Sequence, residues 1–115
     1  MSRVERLSKL IRKEISEIIR EDVSDPRIGF VSITNVDISP DFENAMIFVS
    51  ILGDESQKKD SMAGLISATR FIRGKLGNVL ELREVPNIRF VRDDSLEKGD
   101  KVLGILKRER NSSHH

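Results

Sequence analysis

An apolar stripe followed by a proline constrains this chain more than any other feature. Val4, Leu7, Ile11, Ile15 and Ile18 recur at spacings of three and four, and Leu10 and Ile19 widen the stripe. That period predicts an amphipathic helix over residues 3–22, with Ser2 as its N-cap. Asp25-Pro26 forces the chain out of the α region, so the helix ends near Asp22. A 20-residue helix with one oily face must bury that face against another layer.

The partner layer follows at once. Val31 and Ile33 alternate, and then the apolar phase moves to Val36 and Ile38. A slip of one residue within a strand predicts a bulge near Thr34-Asn35. Residues 39–43, Ser-Pro-Asp-Phe-Glu, carry turn chemistry and lead into a second strand from Asn44 to Leu52, closing an antiparallel pair. This strand is apolar on both faces, with Ala45, Ile47, Val49 and Ile51 against Met46, Phe48 and Leu52, which marks it as central. After the polar residues 56–61, Met62, Leu65, Ile66, Thr69, Ile72 and Leu76 repeat with helical spacing, continued by Val79 and Leu80. Gly64, Gly74 and Gly77 lie inside that pattern, and a glycine costs about 1 kcal/mol relative to alanine in a helix interior. The reading is therefore two shorter helices or one bent helix. Val85-Pro86 precedes a third strand with Ile88 and Phe90, and Ser95 opens a weaker helix over Leu96 to Glu109. Three strands with helices gathered on one face make an α+β domain, expected over residues 1–110, with a polar tail at 111–115.

Several chemistries are excluded early. The chain of 115 residues has no Cys, which removes disulfides, thiolate metal sites and a cysteine nucleophile. Both histidines, His114 and His115, stand in the tail, so no Ser-His pair assembles in the body. Asp37, Asp41 and Glu43, and the pair Asp93-Asp94, read as solvated turn acids, because no nucleophile or phosphate loop accompanies them. No apolar run approaches the ~20 residues of a membrane span, and the basic, interrupted N-terminus is no secretory signal. The expectation is a cytoplasmic, monomeric, non-enzymatic protein without a cofactor.

Charge is informative by place, not by sum, since 20 Lys and Arg oppose 19 Asp and Glu. Residues 1–20 hold six basic groups against three acidic, and residues 70–92 hold six against two. Lys9, Arg12 and Lys13 of the first helix, Arg70, Arg73 and Lys75 of the second pattern, and Arg83 and Arg89 beyond it are the candidate phosphate contacts. Two helices on one sheet face are expected to merge such rows into a groove for RNA backbone. Reversing Arg70 and Arg73 to Glu is expected to weaken binding and spare the fold. Aromatic side chains are five Phe only, and Phe30, Phe42, Phe48, Phe71 and Phe90 all fit core or core-edge positions. Recognition would then rest on charge and shape, without a stacking platform. Gly74-Lys75-Leu76-Gly77 matches the G-x-x-G clamp of KH domains, but too few residues follow before Pro86, and the glycines read as small helix positions.

Taken in order, these segments resemble the ribosome-binding factor A family. The resemblance rests on Asp25-Pro26-Arg27, Val31-Ser32-Ile33-Thr34-Asn35-Val36, Asp41, Ala45, Val49-Ser50 and Leu52-Gly53. It continues through Phe71-Ile72-Arg73, Leu76-Gly77, Leu82-Arg83, Val85-Pro86, Ile88, Phe90, Asp93 and Ser95, and spans about residues 3–107. It implies a KH-like domain of the second type, α-β-β-α-α-β, in which an Ala-x-Gly interruption replaces the G-x-x-G loop. Here Ala68-Thr69-Arg70 stands at that position, with arginine in place of glycine, which questions a sharp kink. The resemblance further implies binding to immature 30S subunits and 16S ribosomal RNA, late maturation and 5′-end processing of that RNA, a maturation GTPase as functional partner, and a link to cold adaptation. A protein-interaction module without RNA contact is the alternative.

Overall fold

A computed structural model describes residues 2–95; the helix expected over Leu96 to Glu109 and the polar tail lie outside the described residues. The elements run α1 (Arg3–Glu21), β1 (Val31–Ile38), β2 (Asn44–Ile51), α2 (Glu55–Leu80) and β3 (Asn87–Arg92). The sheet order is β1-β2-β3, with β1 antiparallel and β3 parallel to β2. The central position of β2 follows from its two apolar faces. A 26-residue α2 supplies the long crossover that a parallel β2–β3 pair requires.

Both helices cover one face of the sheet. Ile11, Ile15 and Ile18 from α1 and Leu65, Ile72 and Leu76 from α2 meet Ile33, Val36, Ile38, Ala45, Ile47, Val49, Ile51, Ile88 and Phe90 in one core. The expected bulge is present: Ile33 pairs with Val49, and Asn35, not Thr34, pairs with Phe48. The extra residue restores the inward phase for Val36 and Ile38. Thr34 Oγ1 donates to Asp93 Oδ2 at 2.6 Å, which ties the bulge to the end of β3.

The second helical pattern is one helix, where two pieces or a bend were expected, so the order is α-β-β-α-β. It starts at Glu55, ahead of the polar stretch read as its preface. Asp54 accepts from Gln57 N–H at 2.8 Å while Gln57 Oε1 accepts from Asp54 N–H at 2.8 Å. That reciprocal box nucleates the helix before its apolar stripe begins. At the site of the family's interruption, Thr69 Oγ1 donates back to Leu65 O at 3.1 Å and the helix continues through Arg70. Complete burial of Leu65, Ile72 and Leu76 offsets the glycine cost, at roughly 1.5–3 kcal/mol per side chain. Gly64 has a packing role, because a Cβ there would stand 2.6 Å from Ile28 Cγ1 of the α1–β1 loop. Glu81 closes the helix in the left-handed region at φ 54°.

Candidate nucleic-acid interface

On α1 the apolar stripe leaves its cations outward. Lys9, Lys13 and Arg20, spaced four and seven apart, are exposed on the ridge opposite Ile11, Ile15 and Ile18. Arg12 leans from this ridge toward β1, where one guanidinium N–H donates to Ile33 O at 3.0 Å. On the other flank Leu10, Glu14, Glu17 and Glu21 form a row at spacings of four, three and four. At its N-terminal end that side of α1 looks toward the α2–β3 loop, since Arg3, Arg6 and Leu10 share a pocket with Leu82 and Pro86, while the C-cap Asp22 meets Lys75 Nζ of α2 at 3.8 Å.

The remaining candidates divide. Arg70 is exposed on α2 and Arg83 on the α2–β3 loop. Arg73 is half-buried, and its Nε and Nη2 donate to Pro86 O at 3.0 Å and Val85 O at 2.8 Å. It clamps the loop that delivers β3. Reversing it to Glu would therefore break the loop, against the expectation that the fold survives. Lys75 binds the end of α1 through Asp22. Arg89 alternates with buried Ile88 and Phe90 and lies opposite Met46, so it sits on the sheet face away from both helices. The rows expected to merge are thinned by these placements, since Arg73 and Lys75 are engaged within the domain and Arg89 lies on the far sheet face.

Two features differ from the sequence expectation. Arg20, outside the candidate contacts, extends the α1 ridge and pairs with Glu21 at 3.8 Å. Phe30, expected at a core or core-edge position, is 74% exposed, and Phe71 is 48% exposed on α2. Strand parity carried the signal for Phe30: with Ile33 inward, Phe30 shares the outward phase of Ser32. Phe90 alone among the five is buried; Phe42 and Phe48 are half-buried.

The turn acids have structural partners. Asp41 accepts from Ser39 Oγ at 2.6 Å and from Glu43 N–H at 3.0 Å, and the Ser39 bond holds its carboxyl below the ordinary value. Asp25 is held low in the same direction by the Arg27 side chain, whose Nε and Nη2 donate to it at 3.1 and 2.7 Å. Glu55 is lowered by Arg92, which donates to both its oxygens at 2.7 Å and to Asp94 at 3.0 Å. Among the described residues no group of three or more His, Cys, Asp or Glu is placed to hold a metal ion. No helix there is long and apolar enough to cross a membrane.

Comparison with known proteins agrees with this architecture. The family model for ribosome-binding factor A matches residues 3–106. Ribosome-binding factor A of Dictyoglomus thermophilum is 56% identical over 106 residues, covering 91% of this chain and 88% of that protein. The Halothermothrix orenii protein of the same name is 46% identical over 106 residues, covering 92% and 87%. Among solved structures, a Thermotoga maritima ribosome binding factor A has a TM-score of 0.68 at 31% identity, over 76% of this chain and 83% of that one. The Thermus thermophilus crystal structure has a TM-score of 0.69 at 20% identity, over 79% and 97%. A Thermus model fitted into a cryo-EM map of a 30S complex reaches 0.59 at 20% identity, over 79% and 91%. A match across both helices, the bulged strand and β3 admits one assignment: the chain belongs to the ribosome-binding factor A family.

Proposed function

We propose that this protein is a non-enzymatic assembly factor that binds immature 30S subunits through 16S ribosomal RNA and assists late maturation, including processing of the RNA's 5′ end. Family membership supports the 30S particle as partner, and a relative fitted into a 30S map, the Thermus thermophilus homology model, points the same way. The observation that carries RNA contact is the α1 ridge. Lys9, Lys13 and Arg20 are exposed in one line along a helix whose other side is locked into the core, so the charges are presented rigidly. Phosphate neutralisation by such a row is sequence-independent, which suits a factor that recognises a folded RNA surface. Arg70 and Arg83 add outlying contacts, and Arg73, Lys75 and Arg89 do not belong to the footprint. Residues 1–110 would act as one KH-like RNA-binding domain, monomeric and cytoplasmic, with a maturation GTPase as functional partner and the greatest demand for its activity in the cold.

The test is co-sedimentation with precursor and mature 30S particles at increasing salt. Preferential binding to precursors, weakened by Lys13→Glu with an unchanged melting temperature, is the expected outcome. Equal binding by both particles, or a charge-reversed ridge that binds normally, would refute the reading.

A further inference from the structure

The mouth of the α1–β1 seam holds an aromatic ring that the fold itself does not use. Phe30 is 74% exposed, and so is Leu52, whose N–H donates to Phe30 O at 3.1 Å. Phe30 and Leu52 make an adjacent exposed apolar pair, and leaving the ring in water forgoes roughly 1.5–3 kcal/mol of burial. The segment is anchored. Gly29 N–H donates at 3.0 Å to Ser61 Oγ, a hydroxyl that is itself buried in α2 and that donates on to Arg27 O at 3.3 Å. Ile28 seats against Gly64. The ring is held out by a pinned loop, with its presentation settled before any partner arrives.

Beside it runs a groove of about 590 Å³ whose lining includes Phe30 together with Arg12 and Arg20 of α1. Its carboxylate, Asp25, is occupied by two N–H donors of Arg27 and so opposes an incoming anion only weakly. β1 is an edge strand, yet Arg12 already covers the Ile33 carbonyl, which disfavours addition of a peptide strand. An exposed ring and two arginines lining one groove, Arg12 on the Ile33 carbonyl and Arg20 in a solvent-exposed pair with Glu21 at 3.8 Å, match a strand that offers base faces and phosphates together. A duplex presents only base edges and cannot supply the face.

We propose that this groove is a subsite for an unpaired RNA segment: one base stacks on Phe30 while its flanking phosphates meet Arg12 and Arg20, the backbone then following the ridge toward Lys13. This rests on the RNA-binding reading above and adds to it the strandedness of the RNA and the residue that reads it. The chain has no Trp or Tyr, so Phe30→Trp introduces a single fluorophore at the subsite. Titration of that variant with a single-stranded uridine decamer is expected to quench its emission, and a duplex of equal length is not. Phe30→Ala is expected to weaken decamer binding roughly 5- to 150-fold, the range for loss of one stacked base, with an unchanged melting temperature. If the decamer binds but the Trp stays unquenched, or Phe30→Ala binds as the parent does, the subsite is overturned and the wider reading stands. If the parent protein binds neither the decamer nor precursor 30S particles, both fall.

Discussion

Gly64 and Gly74 lie in the same helix, and the structure assigns alanine opposite signs at the two positions. At Gly74 an added Cβ meets nothing within 4 Å, so Gly74→Ala only restricts the unfolded chain and fills an exposed helix position. The expected gain is about 0.5–1 kcal/mol. A domain of this size converts that into a rise of roughly 2–8 °C in melting temperature. At Gly64 the Cβ would stand 2.6 Å from Ile28 Cγ1, 3.2 Å from Cδ1 and 3.3 Å from Asp25 Oδ2. Clearing Cγ1 requires Ile28 to leave its χ1 rotamer in a packed site or the 25–30 loop to lift. Overpacking costs about 1–3 kcal/mol, and a lifted loop strains the Ser61 bonds, each worth about 1 kcal/mol net. Against the helix-propensity gain of about 1 kcal/mol, Gly64→Ala should lose about 1–3 kcal/mol in all. Urea unfolding of both variants beside the parent measures the pair directly. Shifts of the same sign would refute the claim that Gly64 exists for the loop's approach and Gly74 has no internal packing role.

Arg73→Ala should cost about 2–3 kcal/mol by removing two charged donors from the Val85 and Pro86 carbonyls, while Arg70→Ala stays within about 0.5 kcal/mol; equal midpoints in urea would refute the division of these arginines. Arg92 holds the Glu55 carboxyl below its ordinary 4.5, so its stabilising effect is complete above that value and is lost as pH falls through the lowered folded value. The stability gap between the parent and Arg92→Met should accordingly narrow below about pH 4.5, and a gap constant down to pH 3 would contradict the linkage. Replacing Lys9, Lys13 and Arg20 together by Gln should reduce the logarithmic salt slope of RNA binding by about 2–3, at ~0.7–0.9 per phosphate, whereas Arg89→Gln should leave it unchanged.

Local periodicity carried most of this fold. The α1 stripe, its Ser2 cap, the bulge at Thr34 and the central place of β2 were all legible, because each is set by residues within a few positions of one another. The start and continuity of α2 were not. Glycine count argued for a break, yet the Asp54–Gln57 box lies before the apolar pattern, and the packing that offsets Gly64 comes from Ile28, 36 residues earlier. Arg73 failed for a similar reason: nothing in its neighbourhood shows that two carbonyls 12 and 13 residues ahead lack donors. Phe30 is the instructive miss. Its outward phase is set by parity with Ile33, while its hydrophobicity alone points to the core.

The cations now separate by what their donors already hold, and that separation decides which side of the molecule can face RNA. Arg73 and Lys75 join elements within the domain, and Arg89 is on the far sheet face, so of the candidate cations the α2 side contributes Arg70 and the loop residue Arg83. Along the Leu10 flank of α1, Glu14, Glu17 and Glu21 would repel a phosphate laid across the helix crest. Of the α1 cations, Lys9 and Lys13 stand exposed on the ridge with Arg20, which pairs with Glu21 at 3.8 Å, and Arg12 leans from it toward the edge strand. Arg12 uses one of its five donors on the Ile33 carbonyl, which shields the edge from strand addition and fixes the guanidinium at the groove's wall. One residue thereby makes the seam unsuitable for a protein strand and suitable for an anion. The proposed approach of RNA from the α1–β1 side, and not across the two helices, rests on that placement.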